Sequence, residues 1–300
     1  MAKQRTIRNQ VQAQGVGIHS GQSICVTLSP APEDSGIMFR RTDCGVDIPA
    51  GVQQVVDTQL CTALGNDQTR IGTVEHLLSA LAGFGIDKVL IDVDGAEIPI
   101  MDGSAEPFIF LLQSAGAVEQ SQVKQFLRVK RTVRVTQGDK MAELNPLENG
   151  LRFDVTIDFD HPVIQAGPQR AVFDFSTMSY LKDISRARTF GFLHEYEQLK
   201  AMNLALGGSL ENAIVLDDQQ VLNEDGLRYP DEFVKHKILD AFGDLSLLGY
   251  SVLGEYRAYK AGHSLTYDLV QAVLADPSAW ELVNFDGCPA PLDYQWAVAA

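Results

Sequence analysis

The sequence predicts an α+β protein of two similar domains, and three observations carry that prediction. Short runs of alternating polar and apolar residues fill the first sixty positions, and a second set starts near Gln120. Each set leads into amphipathic helices. The helical segments also recur at a fixed spacing. His76 followed by LLSALAG corresponds to His236 followed by KILDAFG, 236 − 76 or 160 positions on, and Gly103-Ser104 corresponds to Gly262-His263, 262 − 103 or 159 positions on. The domains are expected at 1–120 and 125–285, with 286–300 as a Pro-bearing tail of little pattern and high mobility.

In chain order, IRNQVQAQGVGIHSG, ICVTLSPA and GIMFRRTD read as strands divided by Gly, Pro, Asp and Ser turns. VVDTQLCTAL leads into a helix in IGTVEHLLSALAG, with Thr73 as its cap and Leu77, Leu78 and Leu81 on its apolar face. KVLIDVDG is a strand, and a helix follows near Ala105 to Ser114. In the second half, FLRVKRTVRVTQGDKMAELNP and LRFDVTIDFDH alternate as strands, SRARTFGFLHEYEQLKAMNLA passes from strand to helix, and GGSLENAIVLDD reads as a hairpin. DEFVKHKILDAFGD is a helix: Pro230 precedes it, Asp231 and Glu232 suit its positive end, and Gly243 can end it. YSVLGEYRAYK is a strand, AGHS a turn, and SLTYDLVQAVLAD a helix.

Composition narrows the function classes. A hydrophobic fraction of 45% and a mean hydropathy of −0.03 are those of a soluble globular chain, and no apolar run reaches the roughly 18 residues of a membrane span. The basic N-terminus lacks a following apolar region, which argues against export. Cys25, Cys44, Cys61 and Cys288 form no CxxC pair, which suits free thiols in a reducing cytoplasm. A net charge of −15 argues against nucleic acid as a partner. It leaves room for a small phosphorylated ligand met by local cations, for which Lys237, Arg186 and Arg188 are candidates.

His236 and Asp240 are four apart, so on a helix they face the same way, with Phe233 on that flank. Alone, such a pair serves as a surface hydrogen bond, an ion pair or two metal ligands. The second segment favours metal, because His76 opens its helix beside Glu75. Two His and one Asp leave a zinc position open for water, and an unligated Glu beside it is the usual proton acceptor. The repeat puts His76 and His236 where two domains meet and brings His263 near as a second acid/base group, although His263 in AGHS can equally cap a helix. His19 in GVGIHSG either bonds backbone or lines the site, and His161 and His194 have no local partner in sequence. A peptidase and a binding module glued by structural zinc are the competing readings. The latter site is ordinarily closed by four ligands, often cysteines.

The segments GVGIHSG, GTVEHLLSAL, EIPIMDGSA, SRARTFGF, VLNEDGLRYPDEFVKHKILDAFGD and YKAGHSL together resemble the UDP-3-O-acyl-N-acetylglucosamine deacetylases, bacterial zinc amidases of lipid A synthesis. The resemblance implies two domains of one fold, each a sheet against paired helices, with the helices sandwiched between the sheets. It implies Zn2+ on His76, His236 and Asp240, Glu75 as general base, His263 as second catalytic group with Asp244 beside it, Lys237 near the metal, and Thr189 donating to the oxygen that becomes anionic. Phe190, Phe192 and the segment Leu193 to Val215, with Ser209, would form an acyl tunnel. Asp158, Phe159 and His161 would hold UDP, and His19 would join the substrate contacts. It further implies an acylated UDP-amino-sugar substrate, and with the composition the expectation is a cytoplasmic monomer with no nucleic acid partner and no transmembrane segment.

Overall fold

Ile24, Val26 and Leu28 alternate with Cys25 and Thr27 along one strand, and the first three are buried while the others stay half-exposed. This two-residue period repeats through both halves of the chain and generates two sheets, each with one face on the core. The computed structural model describes residues 2–66, 68–285 and 289–295.

In the first sheet the strands Val11–Val16, Ser23–Pro30, Val89–Val93, Ile37–Arg41 and Val46–Pro49 lie side by side in that order. All neighbours are antiparallel except Val89–Val93 with Ile37–Arg41, which run parallel. The second sheet repeats the arrangement with Val133–Gln137, Lys140–Asn145, Ser251–Tyr259, Leu151–Thr156 and Arg170–Asp174, again with the third and fourth parallel. Even the additions correspond: Lys3–Ile7 pairs antiparallel with Ala117–Val123, as Phe126–Val129 does with Trp280–Val283.

Among the described residues the helices are α1 (Glu75–Gly83), α2 (Glu106–Ala115), α3 (Pro162–Ala166), α4 (Thr177–Asp183), α5 (Leu193–Ala201), α6 (Glu232–Leu245) and α7 (His263–Ala275). None is long and apolar enough to cross a membrane. α2 packs on the first sheet, α7 and α6 on the second, and α1 against α6, so two helix layers lie between two sheets. The fold is thus the expected α+β sandwich.

Several local expectations fail for physical reasons. Thr73 does not cap α1: its backbone is left-handed (φ 57°), no side chain caps that helix, and its hydroxyl is buried without a hydrogen-bond partner. Gly243 does not end α6, which continues to Leu245. A Cβ there would collide with the Glu75 carbonyl, so this glycine lets the two helices touch. The stretch GGSLENAIVLDD is not a hairpin. Its strand Ile214–Leu216 runs parallel to Phe190–Phe192, so α5 and the following turn form a closed insert between them. In the tail, Leu292 and Tyr294 are buried, Tyr294 lies against Lys124, and the Asp293 carbonyl accepts from the Thr177 N–H. Docking of large apolar and aromatic side chains thus overrides the weak local pattern there. Cys25 is half-buried, Cys44 exposed and Cys61 buried, while Cys288 lies outside the described residues.

Candidate metal centre

α1 and α6 bring the two halves of the chain together at their buried faces. The ring centroids of His76 and His236 are 5.0 Å apart and nearly perpendicular. One ligand atom from each of His76, His236 and Asp240 falls within 4.8 Å of the others, and all three residues are buried. Asp240 Oδ1 sits 3.4 Å from His76 Nε2 and 3.2 Å from His236 Nε2.

Two features decide what this trio can bind. His236 Nδ1 lies 3.0 Å from the Ala187 carbonyl, which must accept its proton, and burial pushes this imidazole down to about 3. Its Nε2 therefore presents a lone pair to a carboxylate oxygen, an arrangement that repels unless a cation lies between. Asp240 Oδ1 is itself buried without a hydrogen-bond partner, as is His76 Nδ1. Burial disfavours the Asp240 charge, but positive charge beside it, which with His236 neutral is the Lys237 ammonium, holds the carboxyl well below its usual range. Two imidazole nitrogens and one carboxylate fit a divalent metal with a position left over. Lys237 Nζ donates to Asp240 Oδ2 at 2.9 Å and lies over the Phe190 ring.

Beside the trio stands a second cluster. His263 Nδ1 is 2.8 Å from Asp244 Oδ2. Burial opposes the imidazolium, yet the Asp244 carboxylate prevails and lifts His263 to about 9. Glu75 is buried, and that burial raises its pKa against the pull of His263 and His76.

The remaining expected residues divide into near and far. Phe190 packs edge-on against Phe233, and Phe159 packs against both Phe190 and Phe192. His161 approaches Phe192, and His194 stacks on it from an exposed position. The Thr189 N–H donates to the Gly103 carbonyl, tying the segment after Ala187 to the first half of the chain. Asp158 instead turns towards Tyr259 and Lys260, accepting from the Tyr259 hydroxyl. Ser209 is exposed in the insert's turn, where its N–H donates to Asn212. The His19 carbonyl accepts from Leu206 of the insert, and its ring, shifted down by burial, keeps Nδ1 unpartnered.

Two expectations are corrected. Arg188 is not available to a phosphate, because it is buried against Glu232, donating through its N–H and Nε to Oε1. Arg186 pairs with Glu106 at 3.1 Å. A buried guanidinium needs its carboxylate more than a surface ligand does. His161 does have a local partner: its Nδ1 accepts from the Val163 N–H and caps α3.

Sequence reasoning also missed three supports of the site: Thr62, the Ala187 carbonyl and the Arg188–Glu232 pair. The first two act through contacts between distant segments, which no local pattern announces. A buried Arg followed 44 positions later by an acidic helix start carries no motif either.

A family model described as UDP-3-O-acyl N-acetylglycosamine deacetylase matches residues 4–275. Curated proteins named UDP-3-O-acyl-N-acetylglucosamine deacetylase are similar over nearly their whole length. One from Aliivibrio fischeri is 58% identical over 289 residues, covering 95% of this chain and 94% of the relative. One from Shewanella woodyi is 57% identical over 297 residues, with 98% and 97% covered. One from Marinobacter nauticus is 55% identical over 303 residues, with 100% and 99% covered.

Proposed function

The chain belongs to the UDP-3-O-acyl-N-acetylglucosamine deacetylase family, and from that membership we infer that Glu75 and His263 move the protons of a metal-dependent amide hydrolysis. The enzyme is a deacetylase of lipid A biosynthesis that removes acetate from the acylated UDP-amino sugar. The metal is zinc, held by His76, His236 and Asp240. The single observation that carries this reading is the buried Asp240 Oδ1, unpartnered by hydrogen bonds and faced by two imidazole Nε2 atoms.

When bound, zinc supplies Lewis acidity, polarising the acetyl carbonyl and lowering the pKa of water towards neutrality, from about 16 in bulk. Glu75 accepts the proton of the attacking water; its raised pKa makes it a stronger base than an exposed carboxylate. Thr189 donates to the carbonyl oxygen as charge develops there, a contribution typically of about 3 kcal/mol. Lys237, cationic beside Asp240, adds charge stabilisation. The departing glucosamine nitrogen needs a proton, and His263, held as imidazolium by Asp244 to about pH 9, gives it.

The insert takes the acyl chain. Phe190 and Phe192 form its base, and Met202, Leu206 and Leu210 expose apolar surface along it. Ser209 in the insert's turn goes with the acyl chain, Asp158, Phe159 and His161 serve the UDP part, and His19, whose carbonyl accepts from Leu206 of the insert, adds a further substrate contact. The enzyme works as a cytoplasmic monomer, with residues 1–120 and 125–285 as its domains.

The test is acetate release from the acylated UDP-sugar by wild type and Glu75→Ala. The variant is expected to keep its fold and metal and to lose about 10²- to 10⁴-fold in kcat. Equal kcat in the two proteins would overturn the assignment of Glu75.

A further inference from the structure

We propose that Thr62 is a positioning residue that ties the base Glu75 to the Asp244–His263 pair and fixes which nitrogen of His263 carries a proton. The proposal rests on the roles given above to Glu75 and His263. Thr62 lies just before the short strand Ala63–Gly65 and is buried. Three of its groups are engaged. Its N–H donates to Glu75 Oε2 at 3.0 Å, and its hydroxyl donates to Asp244 Oδ1 at 2.6 Å. Its carbonyl accepts from the Val74 N–H, at the mouth of α1. One residue therefore holds the start of α1, the carboxylate of its first residue, and a carboxylate on α6.

The hydroxyl has a single proton, and that proton goes to Asp244. Thr62 Oγ1 is also 3.3 Å from His263 Nδ1, and towards that nitrogen it can act only as an acceptor. Both neighbours of Nδ1, the hydroxyl oxygen and Asp244 Oδ2, are thus acceptors. The hydrogen of His263 must sit on Nδ1, leaving Nε2 as the atom that exchanges a proton with substrate. Around this ring the charged groups are Asp244 and Asp240 on α6 and Glu75 on α1, with Lys237 adjoining Asp240. Thr62 is the neutral donor that shares the Asp244 charge and limits its pull on the imidazolium.

The experiment compares wild type, Thr62→Val, Thr62→Ser and His263→Ala in kcat, KM, metal content and the pH dependence of kcat/KM. Thr62→Val is expected to lose about 10- to 100-fold in kcat, the size of one hydrogen bond to a charged group, with KM within about twofold and metal content unchanged. Its basic limb should move to higher pH by about half a unit, because the Asp244 carboxylate then acts on His263 alone. Thr62→Ser should restore most of both. An unchanged kcat and limb in Thr62→Val, or a Thr62→Ser as impaired as Thr62→Val, would overturn the proposal. If Thr62→Val does not fold, wild-type NMR decides: a slowly exchanging Thr62 hydroxyl proton close to the His263 Nδ1–H supports the proposal, and its absence overturns it. A His263→Ala profile with the wild-type basic limb defeats the assignment of His263 itself, an outcome distinct from failure of the Thr62 variants.

Discussion

Asp240 and Asp244 sit one turn apart on the same face of α6, yet their surroundings differ in one decisive respect. Asp244 is complete: Thr62 donates to one oxygen and His263 to the other. Asp240 is not, since Lys237 reaches Oδ2 while Oδ1 faces two imidazole nitrogens and no donor. Buried polar atoms are ordinarily satisfied, so a buried carboxylate oxygen that faces two imidazole nitrogens without a hydrogen bond is one that a cation would complete, whereas the Asp244 oxygens are already held. Two identical side chains on one helix are given different chemistry by what the neighbouring elements bring to them.

Removing the cation breaks the first cluster and spares the second. His236→Ala should abolish deacetylation to below detection, while the Asp244–His263 contact persists in its structure. A chelator should lower the Tm of wild type and leave that of His236→Ala unmoved, because only a protein that binds metal loses binding energy. An equal chelator response in both would erase the distinction between the two aspartates.

A smaller effect separates them by pH. Activity should rise as Glu75 loses its proton, above the ordinary carboxylate range, and fall as His263 loses its own near pH 9. Asp244→Asn should bring the falling limb to lower pH, since the neutral amide no longer favours imidazolium. The same shift has a stability consequence. His263 is raised in the folded state relative to about 6.5 unfolded, so its contribution is fully present below pH 6.5 and disappears as pH rises through about 9. Urea denaturation at pH 6 and pH 10 should show that loss in wild type and a reduced loss in His263→Gln.

The smallest expected change concerns the contact on which both clusters rest. Gly243→Ala should destabilise by about 1–3 kcal/mol, because its methyl meets the Glu75 carbonyl and pushes α1 from α6. Thermal unfolding of Gly243→Ala against Ala241→Gly, at a neighbouring position on the same helix, checks whether the cost is steric.

Much of this was legible in the sequence. The 3.6-residue period and the fourfold spacing of His236 and Asp240 put both on one helix face, and the 160-position repeat foretold that α1 and α6 would be equivalent and meet. What stayed hidden follows from two causes. Glycine signals both a helix end and a close approach, and at Gly243 only the partner helix distinguishes them. Thr62, Arg188 and the Ala187 carbonyl act across 12 to 201 positions of sequence, through side chains and backbone that obey no local period. The insert differs from the hairpin its pattern predicts for a related reason, since its strands pair parallel with α5 between them rather than through a tight turn.

Metal content measured on purified wild type and Asp240→Ala, with both proteins checked for native fold by circular dichroism, tests the central claim most directly. The account predicts about one equivalent of zinc in wild type and a small fraction of that in Asp240→Ala. A full equivalent retained by folded Asp240→Ala would contradict it.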